Sequence, residues 1–130
     1  MFTASEFNYA EAFTNSIDPE NNYIKRIMYR DHCIHKGDKY IKDLRVLKDV
    51  PLSQVIIIDN LVVSFAAQLE NGIYIPSYTG QSADTELKTI ADFLVTIADV
   101  TDVRPFVKKF SGIPKLYDQF LIASTLTIKN

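Results

Sequence analysis

Residues 55–58 read Val-Ile-Ile-Ile, and the run stops abruptly at Asp59-Asn60. A strand with one wet face alternates apolar and polar residues. Four branched aliphatic side chains in a row are expected where both faces are covered, as in a parallel sheet between helices. Strand and helix patterns alternate along the rest of the chain, which points to an α/β fold.

The remaining pattern fills in that expectation. The spacing predicts a helix over 5–17, with Tyr9, Ala10, Phe13 and Ile17 on one face. Thr3 or Ser5 can cap its start and Asp18-Pro19 ends it. Short strands are expected over 26–30, 33–35 and 73–75, with a turn over 36–39. Residues 40–47 read as a loop with a short helical turn, and 64–69 as a helical turn that Gly72 breaks. After a loop over 78–83 comes a helix over 84–100, with Leu87, Ile90, Ala91, Leu94, Ile97 and Ala98 as its apolar stripe. Past Arg104 the pattern weakens around Pro105 and Pro114. Residues 115–124 suit a helix and 125–128 a strand, and periodicity does not separate those readings.

Bulk properties bound the function. A chain of 130 residues makes one domain or less. Its net charge of −2 argues against a nucleic-acid partner, which calls for a basic surface. Cys33 is the sole cysteine, so no internal disulfide forms and a reducing, intracellular compartment is expected. No apolar run approaches the roughly 20 residues of a membrane helix. The N-terminus has neither the basic region nor the apolar core of a signal peptide.

Ligands of a parallel α/β sheet bind outside the carboxyl ends of its strands. Asp59-Asn60 lies at that end of the best strand, where a carboxylate and an amide oxygen can face a hard cation such as magnesium. The same dipeptide also serves as a plain turn after a strand. Lys42 and Arg30 can neutralise or grip a phosphate, or can be solvated surface charges. Thr3 offers a hydroxyl just before a helix start, as an anion ligand or as an ordinary cap. His32, Cys33 and His35 have the wrong spacing for a zinc site, and no second pair completes four ligands.

Taken in order, the motifs resemble one family. They are Phe2-Thr3-Ala4-Ser5 with Tyr9-Ala10, Ile17-Asp18-Pro19, Tyr29-Arg30-Asp31-His32-Cys33 and Tyr40-Ile41-Lys42-Asp43-Leu44. Val55 to Asn60, Glu70-Asn71-Gly72-Ile73, Asp84-Thr85-Glu86-Leu87 and Asp102-Val103-Arg104 complete the series. The series resembles the phosphatases of the RNA polymerase II C-terminal domain, with their small-phosphatase and Dullard relatives, in the haloacid dehalogenase superfamily. The import receptor subunit of the mitochondrial inner-membrane translocase shares that domain. The resemblance covers residues 1–104 and leaves 105–130 as an extension of unknown role.

The resemblance implies a haloacid-dehalogenase-like, Rossmann-like parallel sheet with flanking helices. It implies a magnesium-dependent protein serine/threonine phosphatase that works through an aspartyl-phosphate on a phosphoprotein or phosphopeptide. Thr3 matches the hydroxyl that holds the transferring phosphoryl group, and Lys42 the ammonium that stabilises the intermediate. Asp59 and Asn60 match magnesium-holding positions, and Arg30 and Tyr9 the substrate entrance. Two departures stand out. Leu61-Val62 replaces the family's Ser-Pro, and Gln68-Leu69 its His-Pro. More importantly, the family's first strand ends in Asp-x-Asp-x-Thr, whose first aspartate is the nucleophile, and no Asp-x-Asp occurs in this sequence. Three expectations follow: part of an active phosphatase, a split enzyme whose partner chain brings the missing strand, or a catalytically inactive binding module. The compartment implied is nuclear or cytoplasmic, with mitochondrial as the alternative.

Overall fold

The computed structural model describes residues 1–113. Helix α1 spans Phe7–Ile17 and links two extended stretches that pair in parallel at Phe2 and Met28. The Thr3 amide donates to the Met28 carbonyl and the Met28 amide to the Met1 carbonyl, both at 2.8 Å. Strands β1 (Ile34–Lys36) and β2 (Lys39–Ile41) form an antiparallel hairpin, turning at Gly37, whose φ of +62° suits a residue without Cβ. Strands β3 (Ile57–Asp59) and β4 (Gly72–Tyr74) pair in parallel, Ile57 opposite Gly72 and Asp59 opposite Tyr74. Helices α2 (Glu86–Thr96) and α3 (Arg104–Ser111) follow.

The four-residue aliphatic run behaves as its composition dictates. Successive side chains of a strand point to opposite faces. Val55 and Ile57 enter a core with Leu44, Phe65 and Ile113. Ile56 and Ile58 pack on the other side against a core of Ile73, Ile90, Ile97, Val103 and Val107. A polar residue at any of the four would face a core rather than water, which is why the run has none.

The link from β3 to β4 is a 3₁₀ stretch, Val62–Asn71, broken by non-helical backbone at Phe65 and Gln68. Asn71 ties its end to the segment leading into β3, its amide donating to the carbonyls of Leu52 at 2.6 Å and Val55 at 2.7 Å. The Phe65 ring is fully buried and lies so close to Gly72 that a Cβ there would stand 2.1 Å from a ring carbon. Glycine at the start of β4 is therefore a packing requirement.

Several sequence expectations change. Helix α1 starts at Phe7, and neither Thr3 nor Ser5 caps it. Its buried seam is Ala10 and Thr14, whereas Tyr9, Phe13 and Ile17 are exposed. The Thr14 hydroxyl donates to the Ala10 carbonyl at 2.8 Å, so a polar side chain is buried with its hydrogen bond made. The expected strand over 26–30 shrinks to the Met28 bridge, because Arg30–His32 turns into a 3₁₀ helix. Helix α2 is shorter than 84–100, and Leu87, Ala91 and Ala98 of its expected stripe are exposed, leaving Ile90 and Ile97 as its buried residues. Helix α3 had no forecast. Pro105 lies in its first turn, where a missing N–H costs nothing, and Gly112 ends it in the left-handed conformation at φ +62°. Val107 and Ile113 contribute to the two cores, so this stretch shares the core with residues 1–104. The readings over 115–124 and 125–128 lie outside the described residues.

Acid should loosen this fold. The Asp18 carboxylate accepts backbone N–H groups from Ile24 at 2.7 Å and from Tyr23 and Asn22 at 2.9 Å each. These bonds, Ile24 first, hold it below the usual carboxylate range. The Arg45 guanidinium, then the Arg45 amide and the Gln68 side chain, hold Asp43 lower still. A pKa depressed by folding stabilises above the unfolded value of about 4, and the stabilisation is lost as pH falls through the folded value. The urea midpoint of the complete protein is expected to fall from about pH 4 downward, and Asp18→Asn to flatten that decline. Superimposable acid limbs for the two proteins would remove Asp18 from this account.

Candidate functional site

Asp59 is the last residue of β3, so its carboxylate emerges at the carboxyl end of the parallel pair. It is not free there. One oxygen accepts the Leu61 N–H at 2.8 Å, and the other is in close ionic contact with Lys42 Nζ. Both side chains are nearly buried, 6% exposed for Asp59 and 11% for Lys42. A buried ion pair adds little net stability, but removing one partner strands the other charge.

Lys42 reaches this position because its backbone is fixed. It directly follows β2, and its amide donates to the Ser64 carbonyl at 2.6 Å. The next two residues are clamped by Gln68. Its amide oxygen accepts the Leu44 N–H and its nitrogen donates to Asp43, both at 2.9 Å. Gln68, one of the two residues that depart from the His-Pro pattern, thus secures the lysine loop. Its signal in the sequence was only that departure.

Thr3 leaves its strand at the Met28 pairing. Its hydroxyl donates to Ser5 Oγ and accepts the Ser5 N–H, each at 3.1 Å. The capping role is excluded by the helix start at Phe7, and the hydroxyl heads a local turn instead. Arg30 lies alongside. Its Nε donates to the Ala4 carbonyl and one terminal nitrogen donates to Glu6, both at 2.9 Å. Its guanidinium carbon is 5.2 Å from the Tyr40 ring centroid, a cation–π arrangement.

Cys33 ties these pieces together. Its sulfur lies 3.8 Å from the Thr3 carbonyl oxygen and 4.0 Å from that of Tyr29. Burial pushes its thiol pKa up, Lys42 and Arg30 pull it down, and Asp59 adds to the rise. One thiol thus feels Thr3's backbone and the charges of Lys42, Arg30 and Asp59. A raised pKa keeps it protonated, unlike a nucleophilic thiolate.

Other candidates sit apart. Asn60 is exposed and its amide donates to Ser77 Oγ at 2.9 Å, so it does not share the Asp59–Lys42 contact. Tyr9 is exposed on α1. His32 Nδ1 accepts the Tyr29 N–H at 3.3 Å, and His35 stacks on Tyr40 at 4.8 Å. Among the described residues no three His, Cys, Asp or Glu side chains gather around a metal position. Among the described residues, the Asp59 carboxylate and the Asn60 amide oxygen have the hard-donor chemistry a magnesium ion takes, and would fill only part of its shell.

A cavity of about 330 Å³ is lined in part by Met1, Phe2, Ile56, Ile57 and Ile58, of which Phe2 and Ile58 immediately precede Thr3 and Asp59 in the sequence. Phe2 pairs with Met28 and β3 with β4, and the cavity walls include both Phe2 and the β3 run.

Residues 1–104 match the family described as NLI interacting factor-like phosphatase. The chain is 46% identical over 120 residues to CTD small phosphatase-like protein 2 of Dictyostelium discoideum, covering 92% of this chain and 21% of that protein. It is 40% identical over 109 residues to CTD small phosphatase-like protein 3 of Caenorhabditis elegans, covering 83% and 38%. It is 35% identical over 124 residues to the mitochondrial import inner membrane translocase subunit TIM50 of Kluyveromyces lactis, covering 92% and 25%. The chain therefore spans well under half the length of these relatives. Among solved structures, the fission yeast RNA polymerase II CTD phosphatase Fcp1-R271A bound to beryllium fluoride superimposes with a TM-score of 0.50 at 20% identity. That match covers 88% of this chain and 34% of the other, and it supports the α/β fold.

Proposed function

The chain belongs to the NLI interacting factor-like phosphatase family, and on that premise we propose that residues 1–104 are the C-terminal part of a magnesium-dependent protein serine/threonine phosphatase domain. The observation that carries this reading is the buried Lys42–Asp59 pair at the carboxyl end of β3.

In this reading the Thr3 hydroxyl donates to a phosphoryl oxygen, exchanging its Ser5 contact for the ligand. Lys42, already desolvated and fixed through Ser64, neutralises charge that grows on the phosphoryl group as it transfers. Arg30 and Tyr9 flank the entrance for the phosphoserine peptide. Asp59 and Asn60 would hold magnesium, Asn60 by turning from Ser77, and the ion would supply charge neutralisation for the phosphate. The family's Asp-x-Asp motif, which carries the in-line carboxylate required for covalent transfer, does not occur in the given sequence. We assign it to an Asp-x-Asp strand seated in the cavity between Phe2 and β3. That strand would be supplied by the same polypeptide upstream or by another chain. The relatives' names include nuclear envelope phosphatases and mitochondrial translocase subunits. They favour an intracellular site without choosing among nucleus, cytoplasm and mitochondrion.

A second reading, a binding module without turnover, is favoured by the translocase relatives. Hydrolysis of a phosphoserine peptide by the complete native protein separates the two. The phosphatase reading expects turnover that chelation of magnesium removes and that Asp59→Ala lowers by about 10²–10³-fold. Magnesium-independent binding of a partner with no turnover would instead establish the module.

A further inference from the structure

Arg30 is already occupied. Its guanidinium is oriented by the Ala4 carbonyl and the Tyr40 ring, and its outer edge is taken by Glu6 at 2.9 Å. The two contacts differ in kind. The Ala4 and Tyr40 contacts orient the guanidinium over the loop that carries Thr3. The Glu6 contact is a single hydrogen bond between partly exposed groups, 39% for Arg30 and 77% for Glu6. Such pairs are weak and yield to a better anion, and phosphate or carboxylate can grip an arginine with two parallel bonds.

Building on the phosphatase reading above, we propose that Glu6 is a specificity-determining residue which masks Arg30 and disfavours ligands carrying a second negative charge beside the phosphoserine. A ligand with one phosphate and neutral flanks reaches Thr3 and Lys42 without disturbing the mask. A ligand with an adjacent carboxylate or second phosphate meets Glu6 as a like charge, and gains Arg30 only by displacing it. The other charged groups near Arg30 leave Glu6 in command of the mouth. Asp31 follows Arg30 in the chain, Lys42 pairs with Asp59 and faces the phosphate itself rather than its neighbours, and burial keeps the Cys33 thiol protonated. The preferred substrate class is therefore a singly phosphorylated peptide with neutral or basic neighbours.

The test uses the complete protein and two non-hydrolysable phosphonate peptides that differ only in the residue after the phosphoserine analogue, glutamate in one and glutamine in the other. Wild type is expected to bind the glutamine peptide more tightly. Glu6→Gln is expected to tighten the glutamate peptide about fivefold while moving the glutamine peptide less than about twofold, which erases or reverses the preference. In Arg30→Ala, Glu6→Gln should lose most of that effect. Unchanged selectivity in Glu6→Gln, with binding still abolished by Lys42→Ala, would overturn the mask and leave the phosphate site standing. Binding of both peptides that is indifferent to Lys42→Ala would overturn the site and the mask with it.

Discussion

Lys42→Ala is expected to lower hydrolysis of a phosphoserine peptide by the complete protein about 10²–10³-fold, the usual cost of removing one preorganised electrostatic contact. The motive is placement: the Lys42 side chain is 11% exposed, its backbone is held to Ser64, and its ammonium is already against Asp59. The same substitution strands the Asp59 carboxylate, so some destabilisation accompanies it. Lys42→Met, which keeps the stem and drops the charge, should lose turnover to the same extent. Lys42→Arg should not restore it, because a planar fork does not fit where a point charge sat. The rates need correcting for folded fraction by circular dichroism at the assay temperature. Turnover within a few-fold of wild type in a folded Lys42→Ala protein would refute the site.

The largest structural effect is expected at the Phe65–Gly72 contact. Phe65→Ala removes a fully buried ring and should cost about 3–5 kcal/mol. Gly72→Ala inserts a methyl group 2.1 Å from that ring and should cost about 1–3 kcal/mol through overpacking. In the double variant the added methyl enters space the ring has left, so the two costs should fall well short of additive. Urea denaturation of the four proteins reads this cycle directly. Additive costs would mean that the ring and the glycine do not press on one another.

What the sequence made legible follows from how each residue is constrained. The 55–58 run announces itself because two-sided burial forbids polar residues, and Asp59 stands out by ending it. Helix α1 was found, but of its expected inward face only Ala10 is buried. Periodicity favoured Tyr9, Phe13 and Ile17, while the buried seam uses Thr14, whose hydroxyl is satisfied by its own helix. Helix α3 was missed because Pro105 reads as a break until its place in the first turn is known. The Lys42–Asp59 contact joins residues 17 apart, and no spacing rule reaches it. Only the family resemblance set those two residues side by side as site candidates. Gln68 and Glu6, whose contacts run 25 and 24 residues through the chain, carried no local pattern.

The alternation of the aliphatic run has a consequence for how such a site can change. Asp59 has the parity of Val55 and Ile57, so the core that claims those two also determines which way the carboxylate emerges. Adding or losing one residue in the run would exchange the two cores and turn the carboxylate away from Lys42 in the same motion. Hydrophobic packing thus acts as a parity check on the chemistry. A lineage can drift freely in which aliphatic residue fills each place, yet it cannot shift the frame without giving up the site.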